Sequence, residues 1–383
     1  MNAVEWLDAH AARLRRRPDL EAHDLVAADA SDRLLLAAAG DLRGSDAVVI
    51  GDRHGAIALS LAATGTTVRA HQDALTGERA ARLNAVDAGL ASPADDPEDI
   101  AVPGVTWHDL GPELVRGART VLLQLPRSLD ALDEIAGLVA AHADAEVRLV
   151  AVGRVKHMSH AMNDVLARHF GSVAADRGVG KSRVLRASGP RGAAGPAWPR
   201  AERHDDPRLV VCAHGAAFAG TSIDIGTRFL LGFLPDMPDA EYAIDLGCGT
   251  GVLAASYALA RPGARVLATD RSAAAVASAR ATADANGVGD RVAVRRDDGL
   301  ASCPDASADL VLLNPPFHSD AAVTAQLAPR LFAEAARVLR PGGQLWCVWN
   351  SHLGYRPQLE RIVGPTRQAG RNAKFTVTAS VRP

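Results

Sequence analysis

The chain has 383 residues, 48% hydrophobic and 22% charged, an ordinary balance for a folded protein and a length that suits two domains better than one. A formal net charge of −2 argues against a global cationic field for nucleic acid and leaves local basic patches as the route to RNA. Four cysteines (Cys212, Cys248, Cys303 and Cys347) with no Cys-x-x-Cys pair argue against a disulfide framework or a zinc site and fit a reducing compartment.

Residues 1–20 form an amphipathic stretch ending in Arg13, Arg15, Arg16 and Arg17. It lacks the continuous apolar core of a signal peptide, and no later apolar run approaches the roughly 18 residues of a membrane span. A cytoplasmic protein without membrane contact is expected. From there, short apolar runs alternate with longer helical patterns, which predicts an α/β fold with a mainly parallel sheet. A strand over 47–50 is followed by Gly51-Asp52-Arg53-His54-Gly55 and a helical run, then by a helix reaching Asn84, then by Val121-Leu122-Leu123-Gln124-Leu125-Pro126. Residues 187–206 break the rhythm with Gly, Pro and Ala and read as a linker. The same order then returns. A strand over 242–246 leads to Gly247-Cys248-Gly249-Thr250-Gly251, a helical run reaches Asn286, and 309–313 lead into Asn314-Pro315-Pro316. This echo predicts a duplication, with a first domain over 1–186 and a second over 207–383.

The second copy carries the chemistry. An acidic strand end, Asp245, precedes glycines at every second position, Gly247, Gly249 and Gly251, where the backbone must come close to a ligand. Gly-x-Gly-x-Gly leans away from a dinucleotide and toward S-adenosylmethionine. A second strand ends in Asp270, about 20 residues on, placed to accept from ribose hydroxyls. A third ends at Asp297-Asp298, where Asp298 is chosen for the adenine amino group. None of these acids alone excludes a capping or salt-bridged carboxylate.

Asn314-Pro315-Pro316-Phe317-His318 is the most informative stretch. A ring-conjugated exocyclic amine is a poor nucleophile because its lone pair is delocalised. Acceptance of its N–H groups by the Asn314 side-chain oxygen and the Pro315 carbonyl favours a pyramidal nitrogen. Prolines fix φ and hold both acceptors in advance, and Phe317 offers a face for a planar base. His318 is a weaker candidate for a base. No metal is required.

The chain resembles the bacterial tandem-domain ribosomal RNA guanine-N2 methyltransferases. The resemblance rests on Phe218…Ile223-Asp224-Ile225-Gly226, Asp245-Leu246-Gly247-Cys248-Gly249, Asn314-Pro315-Pro316-Phe317-His318 and Asn350-Ser351-His352-Leu353-Gly354-Tyr355. Residues 223–229 and Asn372-Ala373-Lys374-Phe375 are most similar to the branch acting on large-subunit RNA, with the small-subunit branch next. The resemblance implies two tandem Rossmann-like (class I) methyltransferase domains, the first degenerate and serving RNA binding or stability. Val49, Arg53 and Gln124 stand there for Asp245, Gly249 and Asn314, which implies one bound S-adenosylmethionine per chain. Ala219 departs from the family's usual Ser. Implied phosphate contacts are Lys181, Arg183, Arg186 and Lys374, with Arg13–Arg17, Arg154, Lys156, Arg367 and Arg371 as further candidates. Alternatives are an adenine-N6 or glutamine-N5 methyltransferase and a non-enzymatic RNA-binding assembly factor.

Overall fold

Runs of Val, Leu and Ile flanked by helical segments become strands covered on both faces, as a parallel sheet requires. The computed structural model describes residues 1–22, 25–192, 197–315 and 321–383. They divide into two units, Met1–Ala197 and Trp198–Pro383.

The first unit holds β1 (Asp46–Ile50), β2 (Thr67–His71), β3 (Val105–Trp107), β4 (Thr120–Gln124), β5 (Arg148–Arg154), β6 (Phe170–Ala175) and β7 (Ser182–Pro190). Their order across the sheet is β3-β2-β1-β4-β5-β7-β6. β1 to β5 pair in parallel, and β7 runs antiparallel between β5 and β6.

The second unit opens with a hairpin of β8 (Arg200–Asp205) and β9 (Arg208–Ala213). Its main strands are β10 (Tyr242–Leu246), β11 (Arg265–Asp270), β12 (Val292–Arg296), β13 (Ala308–Leu313), β14 (Leu339–Asn350), β15 (Thr366–Arg371) and β16 (Phe375–Val381). The order β12-β11-β10-β13-β14-β16-β15 repeats that of the first unit, antiparallel β16 included. Along β13 the side chains alternate between two cores. Val311 and Leu313 join Phe332 and Leu359, whereas Leu310 and Leu312 join Tyr257 and Trp346.

The two asparagines of the sequence echo have one job. Asn84 accepts from the Arg15 amide (2.8 Å) and donates to the Arg15 carbonyl (2.9 Å). Asn286 does the same to Val210 (2.9 and 2.7 Å). Each clamps an incoming segment as a β-ladder would. In the second unit, Ser278 and Thr282 extend the clamp from the helix Ala273–Ala285 to His214 and Cys212 of the hairpin segment.

The stretch 187–206 is less of a linker than its composition suggests. Ala187 to Pro190 complete β7 and Arg200 to Asp205 form β8. Pro190 is tolerated because it stands at the strand's end, where a missing N–H breaks no continuing ladder.

Gly55 and Gly251 occupy matching places before the helices Ala56–Ala62 and Val252–Ala260, both at left-handed φ (91° and 76°). A Cβ on Gly55 would lie 2.7 Å from Ala81 Cβ, and one on Gly251 2.9 Å from Ala279 Cα. Gly55→Ala and Gly251→Ala are each expected to cost about 2–4 kcal/mol, from overpacking on a backbone that L-residues disfavour. Denaturant melts of both variants check this; wild-type midpoints would remove the packing account.

Candidate functional site

The glycine turn leaves β10 at the carboxyl edge of the sheet, where doubly wound folds bind ligands. Gly247 and Gly249 have φ of 72° and 54°, and a Cβ on either would meet no heavy atom within 4 Å. Both therefore keep open the cleft they line, which has a volume of about 380 Å³. Gly251, grouped with them in the sequence, is absent from the cleft wall and instead packs on Ala279.

Four carboxylates from three strand ends line this cleft: Asp245, Asp270, Asp297 and Asp298. Asp245 is buried; its Oδ2 accepts from the Ala254 amide at 2.9 Å, anchoring the helix Val252–Ala260 from beneath. Its Oδ1 is buried with no hydrogen-bond partner among the described residues. Burial, with the charge of Asp270 adding to it, pushes the Asp245 carboxyl up to about 7 against the pull of the Ala254 hydrogen bond. Asp270 accepts from Gly249 N (3.0 Å) and Ser272 N (2.9 Å), tying the glycine turn to the end of β11.

At the end of β12 the two acids differ. Asp297 accepts from the Asp298 amide and from both the amide and hydroxyl of Ser302. Its oxygens shape the local turn. Asp298 makes an ion pair with Arg330 at 2.6 Å. Cys248, also in the wall, is held protonated: burial first, then Asp270 and Asp245, raise its thiol well above the ordinary range. Among the described residues no group of three or more His, Cys, Asp or Glu could hold a metal, and no helix is long and apolar enough to cross a membrane.

Asn314 and Pro315 stand at the other end of the cleft, directly after β13. The Asn314 amide donates through Nδ2 to Asp224 Oδ2 and to Thr227 Oγ1, each at 2.9 Å. Its Oδ1 is buried and has no partner among the described residues. Pro316, Phe317 and His318 lie outside the described residues. Asp224 and Thr227 also line the cleft. The sequence marks Asp224 only through the family resemblance and gives Thr227 no task. Asp224 is legible as an N-cap of the helix Ile225–Leu231, where its Oδ2 accepts from Gly226 N and Thr227 N. Its further partner, Asn314, lies 90 residues away, and no local pattern announces that.

The matching place in the first unit is filled by its own side chains. Arg53 Nη2 reaches Asp29 (3.3 Å), Ser31 (3.4 Å) and the Gln124 Oε1 (3.2 Å). Gln124 donates from Nε2 to Asp32, whose carboxyl burial pushes up to about 7. A buried carboxylate still anchors the helix Ala56–Ala62 there, supplied by Asp52 through the Ile57 and Ala58 amides.

The basic candidates separate by partner. Arg186 is committed to Asp176 (3.0 Å) and to the Ala38 carbonyl (3.1 Å), and Arg16 and Arg17 pair with Asp19 and Asp87. Arg154 pairs with Asp29, Arg367 lies over Trp346, and Lys374 lies over the Phe375 ring at 5.2 Å. Lys181 and Arg183 have no ion pair among the described residues. Lys181 accepts at its carbonyl from Val155, and Arg183 stands opposite Gly153 in the β5–β7 ladder. Desolvation, then Arg127, Lys156 and Arg154, hold His157 below its ordinary range.

The buried Asp245 carboxyl yields a pH-dependent stability. Its folded value, about 7, lies above the usual 3.8, so between those values the folded ligand-free protein holds the extra proton. Stability is therefore expected to fall as pH rises through this window. Asp245→Asn keeps an acceptor for Ala254 without the charge, and should stabilise the ligand-free protein by on the order of 2–4 kcal/mol more at about pH 8 than at about pH 4. Urea unfolding at both pH values measures the difference; an equal effect at each would refute a buried titrating carboxyl.

Comparison with known proteins places this geometry. The family described as "Methyltransferase small domain" matches residues 208–379, and that described as "RLMG N-terminal domain" matches residues 2–191. The chain is 38% identical to the ribosomal RNA large subunit methyltransferase G of Streptomyces coelicolor, over 96% of this chain and 97% of that one. It is 37% identical to the protein of the same name from Pseudomonas aeruginosa, over 95% and 96%. Among solved structures, the Thermus thermophilus 16S rRNA N2 G1207 methyltransferase, in complex with AdoMet and guanosine, superposes with a TM-score of 0.72 at 22% identity, covering 93% of this chain and 92% of that one. That likeness carries the tandem methyltransferase fold. With identity above a third along almost its whole length, the chain belongs to the ribosomal RNA large subunit methyltransferase G family.

Proposed function

We propose that this protein is an S-adenosylmethionine-dependent N-methyltransferase acting on the exocyclic N2 amine of a guanine in large-subunit 23S ribosomal RNA, in the cytoplasm. Membership of a family whose relatives are named large subunit methyltransferases supports the substrate. The observation that carries the chemistry is the Asn314 amide in the cleft wall, whose NH₂ is committed and whose carbonyl oxygen has no partner among the described residues.

The cleft fits the cofactor. Open backbone at Gly247 and Gly249 admits it, and the partnerless Asp245 Oδ1 suits an ammonium. Asp270 takes the ribose and Asp298 the adenine amine: Asp297 has both oxygens bonded within its own turn, whereas Asp298 commits Oδ2 to Arg330. Gly251 acts by packing. Bound there, S-adenosylmethionine supplies an electrophilic methyl group. Asn314 Oδ1 and the Pro315 carbonyl accept the two N–H groups of the substrate amine and localise its lone pair, with Pro316 stiffening the turn and Phe317 stacking on the base. The guanine must leave any helical stack to reach them.

The first unit, degenerate in its cleft, contributes structure and RNA phosphate contacts, foremost Lys181 and Arg183. Lys374 adds a contact from the second unit, and Arg186 is withdrawn into its Asp176 pair. The two domains are taken as the units Met1–Ala197 and Trp198–Pro383, with residues 187–190 in β7 of the first sheet and 200–205 in the β8–β9 hairpin.

Transfer of labelled methyl to rRNA from a deletion strain, followed by digestion to nucleosides, tests the assignment. N2-methylguanosine in large-subunit RNA is expected; label in small-subunit RNA, in N6-methyladenosine or in protein would redirect it, and no transfer would leave an assembly factor. Asn314→Ala should lower kcat at least about a hundredfold while calorimetry still finds one S-adenosylmethionine per chain. Two sites, or full activity, would contradict the reading. Replacing Lys181 and Arg183 by Ala should weaken rRNA binding and flatten its dependence on log salt by about one for each phosphate no longer neutralised. An unchanged slope would move the RNA-binding surface elsewhere.

A further inference from the structure

A side-chain amide has two chemically opposite ends of nearly equal shape, and only the end facing the substrate matters to it. At Asn314 the surroundings choose the end. Asp224 can only accept, and its Oδ2 lies 2.9 Å from one amide end, so that end is the NH₂. Thr227 Oγ1 takes the second hydrogen of the same group, also at 2.9 Å. Turned over, the amide would set its oxygen against a carboxylate oxygen and leave its donors facing the cleft.

The acceptors are themselves held. Asp224 Oδ2 is fixed by the Gly226 and Thr227 amides of the first turn of the helix Ile225–Leu231. Gly226 is what lets Asn314 approach this turn. A Cβ there would stand 3.0 Å from Asp224 Oδ2 and 3.3 Å from both Asn314 Oδ1 and the Phe375 ring. The Asp-Ile-Gly-Thr stretch thus forms a seat shaped to one orientation of one distant amide.

We infer that Asp224 and Thr227 are positioning residues that lock the Asn314 amide as an acceptor toward the cleft, so that the site admits a hydrogen-bond donor and refuses a carbonyl edge. The inference rests on the reading in which Asn314 Oδ1 receives the substrate amine. On guanine it discriminates between the two exocyclic groups. N2 presents two donors to an acceptor and is held, whereas O6 would face it lone pair to lone pair and is repelled. The lock enters the reaction through Asn314 alone.

Thr227→Val tests this with the least disturbance, because it keeps the side-chain shape and leaves the Asp224 cap in place. Methyl transfer to rRNA under single-turnover and steady-state conditions, with S-adenosylmethionine affinity by calorimetry, separates positioning from binding. Thr227→Val is expected to lower kcat about tenfold, with KM for rRNA and cofactor affinity changing by less than about twofold. Thr227→Ser should return kcat to within about threefold of wild type. Asp224→Ala should cost more than Thr227→Val, since it removes a charged acceptor. In an Asn314→Ala background, Thr227→Val should cost nothing further, because the group it acts through is gone. Wild-type kcat in Thr227→Val, or losses that multiply with that of Asn314→Ala, would overturn the lock. The methylated nucleoside is read in the same assay: label in adenosine or protein would remove the guanine assignment, and the kcat pattern would still decide the lock.

Discussion

The parallel pairing of β10 with β13, Leu246 opposite Leu313, is the constraint on which the site depends. Parallel neighbours end at the same edge of a sheet, so the turn after Leu246 and the turn after Leu313 leave side by side. One is a glycine turn and the other an Asn-Pro turn, and the cleft lies between them. β11 pairs on the far side of β10 and brings Asp270 to the same edge, where it receives the Gly249 amide. A slip of one residue in either pairing would turn Asp245 to the other face of the sheet and separate the two turns.

The two units show which parts of this arrangement are scaffold. Both keep the strand order, the asparagine clamp, the packing glycine and a buried carboxylate under the first helix. The differences lie in polar atoms left open. In the first unit Gln124 has its carbonyl bound by Arg53 and its NH₂ bound to Asp32, and the turn is closed over. In the second, Asn314 has its NH₂ bound and its carbonyl oxygen without a partner among the described residues; a spare oxygen on the helix-anchoring carboxylate is common to both units, at Asp52 and Asp245. A buried polar atom without a partner costs about 1–3 kcal/mol. The Asn314 oxygen, on a residue of the cleft wall, is the one that sets the second unit apart, and a ligand that donates a hydrogen bond would satisfy it.

Electrostatics point the same way. Asp245 and Asp270 share the cleft wall, and the charge of Asp270 adds to burial in raising the Asp245 carboxyl, whereas Asp298 is already paired with Arg330. A positively charged ligand relieves the repulsion. Burial first, then the charges of Asp270 and Asp245, keep the Cys248 thiol protonated and so remove it as a competing nucleophile toward an electrophilic methyl donor.

Much of this was legible in the sequence. Apolar runs at strand length marked β10, β11 and β13 within a residue or so at each end, because a strand buried on both faces must be apolar throughout. The glycine turn and the Asn314 turn were legible because close backbone approach and fixed φ demand particular residues. Two features were not legible in composition: 187–206 carries strand ends despite its Gly and Pro, and Gly251 packs against Ala279. The fate of Arg186 and the hold of Asp224 and Thr227 on Asn314 depended on partners distant in the chain. Sequence by itself determined the secondary elements and the local turns, since these follow from side-chain period and backbone sterics. Only the tertiary structure decided which way the Asn314 amide faces and which cations are already paired, because a hydrogen bond depends on distances that folding sets between residues with no local relation.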